Sequence, residues 1–403
     1  MAERRPDGGS PSGRGPRRQV GMVDVARLAG VSHMTVSRVI NDQPTVSQVT
    51  RQRVLAAMTE LGYRPNVAAR ALVTGRTRTL GVVSIDTTLY GPASMLLAIE
   101  RAARDIGYAI SIASLPSVDR RSFGEAFEAL MAQAVEGIIA ITPHTSTTTA
   151  LRHVPKDIPV VAVEGGRAPV PTVAVDQRLG ARLATEHLLS LGHATVAHIA
   201  GPGDWHEAQE RERGWRDALT DAEREIPELV RGDWSPRSGY EAAQRLIGAP
   251  GLTAIFVAND QMAIGALRAL SEAGIPVPER VSIVGFDDIP EAEFFTPPLT
   301  TLRQEFGEVG RQSLALLMEQ VDGAPRSRRR IVIPPEFIVR ESTRAPGTAG
   351  SAPGTAGSAR GSAGSGPRSA GTKTPRSAAT KTERAGLSGA PASEASQPDT
   401  APR

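Results

Sequence analysis

The stretch from Val23 to Asn41 reads VDVARLAGVSHMTVSRVIN and contains two short helical patterns separated by a glycine. In the first pattern, apolar residues recur at i, i+1 and i+4 from Val25, which places them on one helix face. Gly30 enters a left-handed turn at little cost, so the first helix is predicted to end there. Ser32 can cap a second helix through its hydroxyl. Two helices joined by a short glycine-containing turn are typical of a helix-turn-helix, whose second helix enters the DNA major groove.

A third helix completes a small N-terminal head. Ser47 is placed to cap a helix over about 49–60, and Gly62 is placed to end it. The residues predicted to form its apolar face are Val54, Leu55, Met58 and Leu61. A core of about 45 residues is marginal by itself, so we expect a partner chain or DNA to stabilise the head.

The residue pattern of this head is more specific than its periodicity. The motif D-V-A-x-x-A-G-V-S-x-x-T-V-S-R-V-x-N resembles the DNA-binding head of the LacI/GalR family of bacterial transcriptional regulators. The motif Y-R-P-N-x-x-A-R-x-L, which ends at Leu72, resembles the hinge helix of that family. The resemblance implies that two such helices pair across a homodimer and that Ala69 and Leu72 enter the minor groove, Leu72 as an apolar wedge. The residues alone also allow a plain linker, because two turns are too few for an isolated helix.

The second helix of the head supplies the predicted major-groove contacts. Arg38 is expected to contact a guanine, since arginine with the O6 and N7 of guanine is the commonest specific pair. Thr35, Ser37 and Asn41 are expected to touch phosphates. His33 and Met34 occupy the first exposed turn, where family members vary, so the operator sequence read there is not predictable.

Charge is distributed unevenly along the chain. Residues 1–75 contain 11 Lys and Arg against 5 Asp and Glu, whereas residues 76–342 contain 27 against 35. A basic head on an acidic body favours a polyanionic partner, double-stranded DNA, for the head alone. The chain has no cysteine, and no apolar run is long enough to cross a membrane. We therefore expect a cytoplasmic, nucleoid-associated bacterial protein without a membrane partner.

From Thr79 onward, strand and helix patterns alternate, which predicts an α/β body with a doubly wound parallel sheet. The pattern repeats in two halves, as in two-lobed periplasmic binding proteins that close around a ligand. The predicted strands are 80–85, 109–113, 137–141, 160–163, 195–200, 254–258 and 282–286. The predicted helices are 92–106, 123–134, 181–191, 207–219, 239–247 and 262–273. The family resemblance extends to about Arg344.

The body shows no pattern typical of catalysis. It lacks a G-x-S-x-G elbow, a phosphate-binding loop of the GxxxxGK[ST] type and the spacing of a His/acid metal site. We therefore expect no catalytic residue, no metal and no cofactor, and not an enzyme. His187 and His193 are interpreted as helix-end cap or surface residues, and His198 as a core or rim residue.

Polar residues at the carboxyl ends of the predicted strands indicate a ligand site, because open α/β sheets bind ligands there. Asn259 and Asp287 each follow a strand, and Arg211 lies on a helix after a strand. Such planar polar groups can bracket the hydroxyls of a sugar, while Trp234 can cover its C–H face. Asp260 is interpreted as a helix cap and Asp288 as a turn cap, while Trp215 and Phe295 are interpreted as core.

The resemblance implies a fuller sugar site. Its members are Leu89, Glu164, Glu207, Arg211, Trp234, Asn259, Asp287, Gln304 and Phe306. Two of them depart from the pattern they resemble: Glu164 stands in place of an aspartate and Glu207 in place of a serine. An added methylene and an added charge change the pocket, so the sugar is expected to be galactoside- or glucoside-like without being identified further.

The chain is predicted to divide into five parts. They are a basic disordered tail (1–18), the helix-turn-helix domain (19–64), a hinge helix or linker (65–76), a two-lobed sugar-binding and dimerisation domain (77–344) and a disordered Gly/Ala/Ser/Pro-rich tail (345–403). The resemblance implies that a leucine-repeat helix in this last region could join dimers into tetramers. The region has no such repeat, since Leu387 is its only large apolar residue, so we predict a dimer rather than a larger assembly.

These patterns predict a transcriptional repressor of a sugar-utilisation operon that a sugar inducer releases from a palindromic operator. Two alternatives stay open at this point. In one, the ligand is a co-repressor that favours DNA binding. In the other, the chain is a sugar-binding receptor without DNA function, which the helix-turn-helix motif disfavours.

Overall fold

A computed structural model describes residues 20–41, 43–64, 75–85, 87–117, 119–164 and 166–347. It confirms the predicted class: a helical head followed by an α/β body in two lobes. The described residues contain no helix with the length and apolarity needed to span a bilayer. Ala69 and Leu72, the proposed hinge contacts, lie outside the described residues. So do both predicted tails, apart from residues 345–347.

The head consists of α1 (Met22–Ala29), α2 (His33–Ile40) and α3 (Gln48–Leu61). The predicted caps are confirmed, since the hydroxyls of Ser32 and Ser47 accept hydrogen bonds from backbone amides three residues on. Gly30 and Gly62 end their helices in left-handed backbone. The predicted face of α3 is wrong at Leu55, whose exposed fraction is 49%, because Ala57, one turn after Val54, faces the core instead.

The first lobe has a six-stranded parallel sheet in the order β11-β5-β4-β3-β1-β2. Its strands are β1 (Thr79–Ile85), β2 (Ala109–Leu115), β3 (Ile138–Ile141), β4 (Val160–Val163), β5 (Thr172–Val175) and β11 (Arg330–Ile333). Its helices are α4 (Tyr90–Asp105), α5 (Arg120–Ala132), α6 (Thr145–Ala150) and α11 (Phe306–Val321), and a 3-10 turn spans Leu151–His153. Apolar cores lie on both faces of the sheet, which explains the continuous apolar runs of its central strands.

The second lobe has a four-stranded parallel sheet in the order β7-β6-β8-β9. Its strands are β6 (Ala197–Ala200), β7 (Val230–Arg231), β8 (Ala254–Val257) and β9 (Ser282–Val284). Its helices are α7 (Gln177–Ser190), α8 (His206–Asp221), α9 (Pro236–Ile247) and α10 (Asp260–Glu272), and a 3-10 turn spans Ala292–Phe294. Again one core lies on each face of the sheet.

Two late segments connect the lobes. Strand β10 (Thr301–Arg303) pairs antiparallel with β12 (Glu336–Ile338), and α11 between them packs against α4 of the first lobe. The chain thus returns from the second lobe to the first before it ends. The sequence-based prediction lacks helices α6 and α11 and strands β5, β7, β10, β11 and β12.

The predicted helices of the second lobe begin too late by one to four residues. Three of these helices, α7, α9 and α10, follow a polar residue whose side chain caps the first turn, ahead of the apolar pattern. Asp176, for example, accepts a hydrogen bond from the amide of Leu179 and thereby starts α7 at Gln177. Cap chemistry therefore fixes these three starts, whereas α8 has no side-chain cap.

Candidate functional site: a polar and aromatic pocket at the strand ends

A pocket of about 420 Å³, counting its open mouth, lies where the start of α4 in the first lobe faces the strand ends of the second lobe. The residues that line it are Leu89, Tyr90, Gly91, Pro92, Met95, Trp205, Glu207, Arg211, Trp234, Asn259, Gln261, Asp287 and Gln304. Seven of the nine residues proposed from sequence are therefore brought together.

Arg211 is the buried cation of this pocket. Its Nε donates to Oε1 of Gln177 at 2.8 Å, its Nη1 donates to the carbonyl oxygen of Ala258, and its Nη2 lies 3.5 Å from Oδ1 of Asp287. The guanidinium carbon lies 3.8 Å from the ring centre of Phe286. Burial lowers the pKa of Arg211, while the nearby carboxylates, Asp287 first among them, act in the opposite direction. The side chain is thus fixed by partners on three sides.

Asp287 follows β9 and carries the opposing charge. Gln304 donates its Nε2 hydrogen to Oδ1 of Asp287 at 2.6 Å and accepts one from Gln177 at 2.9 Å. Burial raises the pKa of Asp287 to about 6, although the charge of Arg211 and the hydrogen bond from Gln304 work against this rise. A closed network of four side chains therefore holds one carboxylate against one guanidinium at the pocket wall.

The side chain of Asn259 makes two hydrogen bonds to the backbone at the same pocket wall. Its Oδ1 accepts from the amide of Met262 at 2.9 Å, so Asn259 caps α10, and its Nδ2 donates to the carbonyl of Trp234 at 3.2 Å. The interpretation of Asp260 as this cap is wrong. Asp260 is already helical and buried, and it accepts bonds from the amide of Ile289 and the hydroxyl of Thr301. Burial raises the pKa of Asp260 well above its usual range.

Asp288 does not cap the following turn either. Its two carboxylate oxygens each pair at 2.7 Å, one with Arg303 and one with Arg340. The turn amide that Asp288 was expected to satisfy, that of Ile289, is bonded to Asp260 instead. Asp288 therefore fastens the β10 and β12 segments to the second lobe, while Asp287 faces the pocket.

Aromatic rings form the other side of the pocket. Trp205 and Trp234 meet edge to face with ring centres 5.6 Å apart. Tyr90 meets Phe306 at 6.0 Å, so Phe306 lies behind Tyr90 and outside the lining. Sequence reasoning missed Tyr90 and Trp205. Trp205 lies in the turn after β6, so the strand-end rule used for Asn259 could have found it.

The two glutamates that depart from the family pattern occupy different places. Glu164 follows β4, accepts a bond from the amide of Val175 at 2.8 Å and lines a separate cleft rather than the pocket. Glu207 lies in the first turn of α8 and lines both cavities. Burial raises the pKa of Glu164 to about 7. Burial, with the charge of Glu164, raises the pKa of Glu207 well above its usual range.

The lobes also touch beside the pocket. His144 at the end of β3 lies 3.2 Å from Asp204 through its Nδ1, and its ring centre is 4.6 Å from that of Trp205. Thr148 on α6 lies 2.9 Å from Nε2 of His206. These contacts join α6 of the first lobe to the start of α8, which carries Glu207 and Arg211.

In the head, α2 offers the side chains proposed to contact DNA. Its first turn projects His33 and Met34 into solvent, Met34 with an exposed fraction of 61%, and Arg38 is also exposed. Thr35, Ser37 and Asn41 are half-buried. The hydroxyl of Thr35 lies 2.9 Å from that of Ser32. This exposed helix can therefore be presented to a groove without unfolding the head.

Histidines and carboxylates do not assemble into a metal site in the described residues, where no group of three or more could hold an ion. The interpretation of His193 as a cap or surface residue is wrong: it is buried and bonds the hydroxyls of Thr253 and Ser282. His187 is half-buried between Thr343 and Phe337. His198 and Trp215 are core residues, and Phe295 is partly buried against the core on the other face of the sheet.

A helix-turn-helix head and a two-lobed body with a polar, aromatic pocket at its strand ends define the class of DNA-binding regulators that carry a ligand-binding domain. Comparisons with known proteins agree. Residues 21–66 match the family described as bacterial regulatory proteins, lacI family, and residues 185–343 match the periplasmic binding protein-like domain.

The matches to named relatives span nearly the full length of those relatives. The chain is 34% identical over 333 residues to the lactose operon repressor of Escherichia coli, which covers 82% of this chain and 92% of that protein. It is 33% identical to the ribose operon repressor of Escherichia coli, over 80% of this chain and 99% of that protein. A lac repressor dimer bound to operator and an anti-inducer matches with a TM-score of 0.72 and 33% identity, over 81% of this chain and all of that one.

The chain therefore belongs to the LacI family. It is a DNA-binding transcriptional regulator with a ligand-binding body, and it is not an enzyme. The alternative of a receptor without DNA function is excluded by this membership.

Proposed function

We propose that the chain represses a sugar-utilisation operon in the bacterial cytoplasm and that a galactoside- or glucoside-like sugar releases it from a palindromic operator. The observation that carries the ligand class is the pocket wall: Arg211, Asp287 and Asn259 reach it from three different elements beside two tryptophans. Fixed planar polar groups can bracket vicinal hydroxyls, and aromatic rings can cover the C–H face of a sugar. Several relatives are named as repressors of sugar operons, which supports the same class.

The proposed mechanism of operator release depends on the contact region between the two lobes. Sugar bound between α4 and the second lobe would favour one arrangement of the two lobes over another. A ligand shifts such an equilibrium only by its difference in affinity for the two states, and coupling of about 1–3 kcal/mol is typical. We propose that segment 65–76, with Ala69 and Leu72, transmits the change to the head, and that two chains form a homodimer over two half-sites.

The division into segments 1–18, 19–64, 65–76, 77–344 and 345–403 is part of this proposal, as is association with the nucleoid. So are the DNA contacts of His33, Met34, Thr35, Ser37, Arg38 and Asn41. Exposure of α2 supports the last of these, because its first turn and Arg38 are open to solvent.

The test of the ligand site uses Arg211→Ala and Asp287→Asn, with Arg213→Ala as the matched control. Arg213 lies on the same helix, is exposed and pairs with Glu210 outside the pocket. We expect the first two variants to bind operator DNA normally but to lose at least roughly tenfold in sugar affinity, which is about 1.4 kcal/mol. The control should keep both. Operator release and sugar binding are measured on the same preparations, with thermal unfolding as a check on folding.

Two outcomes would contradict parts of the proposal. If the pocket variants lose operator binding while remaining folded, the pocket is misplaced. If sugar strengthens operator binding in the unaltered protein, the ligand is a co-repressor and the sign of the response is reversed.

A further inference from the structure

The pocket wall carries more carboxyl groups than cationic groups. Among the described residues that line it, Arg211 is the one cationic side chain, and it pairs with Asp287 at 3.5 Å. Glu207 lines the same pocket and forms no ion pair among the described residues. Behind these groups lie Glu164 and Asp260, both buried. A guanidinium already held by Asp287, Gln177 and Ala258 has little left to offer a second carboxylate.

Glu207 is also left with an unsatisfied atom. Its exposed fraction is 7%, and its Oε2 is buried without a hydrogen-bond partner in the described part of the chain. A buried oxygen of this kind is costly unless something bonds to it, so such an atom in a ligand pocket indicates a donor on the ligand. A carboxylate in particular favours a charged donor.

The surrounding rings suit a positive charge. Trp205 and Trp234 line the pocket with Glu207, and Tyr90 lies opposite on α4. The faces of such rings attract cations, as the guanidinium of Arg211 already shows at 5.5 Å from the ring centre of Trp234. A carboxylate that lines a pocket together with several aromatic rings is a combination that can bind an ammonium group.

We propose that the natural ligand is an amino sugar whose ammonium group pairs with Glu207 while its hydroxyls bond to Asn259, Asp287 and Arg211. This inference rests on the proposed function, which makes the pocket a sugar site. It narrows the ligand from neutral glycosides to glycosides that carry a primary amine.

Pairing with an ammonium group has a measurable consequence for protons. Glu207 is surrounded by Glu164, Asp287 and Arg211, and burial with the charge of Glu164 raises its pKa. The raised pKa favours the protonated form of the Glu207 carboxyl in the free pocket, whereas a bound ammonium ion favours the carboxylate. Binding of the amine should therefore release protons to the buffer. Binding heats measured in buffers of different ionisation enthalpy should then differ, whereas those of a neutral sugar should not.

The experiment is isothermal titration of the full chain with matched methyl glycosides. The probes are the glucoside and galactoside, their 2-amino-2-deoxy and 6-amino-6-deoxy forms, and the N-acetyl derivative of each amine, which keeps the nitrogen without its charge. At least one amine is expected to bind tenfold or more tightly than both its parent glycoside and its N-acetyl derivative. Glu207→Gln should remove that preference.

Glu210→Gln is the matched control, since Glu210 lies on the same helix and pairs with Arg213 outside the pocket. It should keep the preference for the amine. Equal or weaker binding of every amine relative to its parent would overturn the inference while leaving the sugar function intact. A preference that survives in Glu207→Gln would overturn it as well. If no probe binds at all, the proposed sugar function fails, and the inference fails with it.

Discussion

His198 is a titratable residue in the core of the second lobe. Its ring stacks on Phe256 with centres 4.7 Å apart and lies 5.1 Å from Trp215. Its Nδ1 lies 3.0 Å from the carbonyl oxygen of Phe256, so that nitrogen must carry the hydrogen. Nε2 is buried without a partner in the described part of the chain. The structure thus accommodates a neutral imidazole and offers a second proton no acceptor.

This arrangement predicts an acid-sensitive contribution to stability. Burial lowers the pKa of His198 from 6.5 to about 4. A group whose pKa is lower in the folded chain than in the unfolded chain contributes stability at pH values above its unfolded-state pKa. That contribution is lost as pH falls from about 6.5 to about 4. The loss is about 3 kcal/mol in the free energy of unfolding. His198→Phe, which keeps the stacking, should therefore show a shallower acid dependence in denaturant unfolding at a series of pH values.

The control for this prediction is His153→Phe, because His153 is exposed. Buried carboxyls such as Asp260 and Glu207 also titrate on unfolding, but they are common to all three proteins and cancel in the difference. Parallel curves for the unaltered protein and His198→Phe would show that the buried histidine does not set the acid response.

At the residue scale, the sequence predicts the roles of residues that act on backbone close to them in the chain. Ser32, Ser47, Gly30 and Gly62 act through their own backbone neighbourhood, and their predicted roles are confirmed. Roles that depend on a distant partner were not predictable. Asp260 bonds Thr301, 41 positions later, and Glu164 bonds Val175 in the next strand. Nothing in the local pattern distinguishes such residues from caps or ligand contacts.

At the element scale, the turn after β6 positions the aromatic side of the pocket. Gly201 begins this turn, and a Cβ on it would lie 2.2 Å from Cη2 of Trp234. Trp234 is itself buried, with Trp205 at its edge and Arg211 near its face. A side chain at position 201 would collide with the indole, so the glycine is needed to seat Trp234 in this position.

Gly201→Ala should therefore displace the indole and weaken sugar binding. Overpacking of this kind costs about 1–3 kcal/mol. The expected result is roughly a tenfold or greater loss of sugar affinity, at about 1.4 kcal/mol per decade, together with a change in tryptophan fluorescence. Gly203→Ala is the control, because its Cβ would meet only the guanidinium of Arg231 at 3.6 Å, an ordinary contact. Equal affinities in the two variants would remove the proposed role of this turn.

The elements that sequence missed have identifiable physical reasons. Strands β7, β10 and β12 are two or three residues long, too short for any periodicity. Helix α11 is different, since Val309, Leu316 and Leu317 do give a helical apolar pattern. The alternation of longer strands and helices was sufficient for the fold class.

At the scale of the whole molecule, the path of the chain between lobes could not be read from the order of its elements. Strand β11 pairs with β5, and Arg330 is in register with Thr172, which lies 158 positions earlier in the chain. Helix α11 packs on α4. Strands β10 and β12 are fastened to the second lobe, whereas α11 and β11 between them belong to the first lobe, so the chain crosses between the lobes here. The sequence indicated which side chains could bind a sugar, but only the tertiary structure places Tyr90 and Trp205 in one pocket.

Near the end of the described residues, the chain is fastened to the second lobe at Ser342–Arg344. Ser342 accepts from the amide of Thr300 at 2.8 Å and donates to the carbonyl of Ile283 at 2.6 Å. The carbonyl of Arg344 accepts from the hydroxyl of Ser282 at 3.0 Å and lies 3.1 Å from Nε2 of His193. The segment thus supplies partners for groups that would otherwise be buried unsatisfied.

Removing residues 346–403 should therefore leave folding, sugar binding and the proposed dimer unchanged, because the removed segment contains only one large apolar residue, Leu387. Removing residues 341–403 should instead lower stability. Each lost hydrogen bond contributes about 1 kcal/mol, and the melting temperature falls roughly 2–4 °C per kcal/mol. Thermal unfolding and sedimentation of the two truncated chains measure this contrast. A monomer after the shorter truncation would show that the tail contributes to the dimer, and equal melting temperatures would show that the Ser342–Arg344 contacts do not hold the lobe.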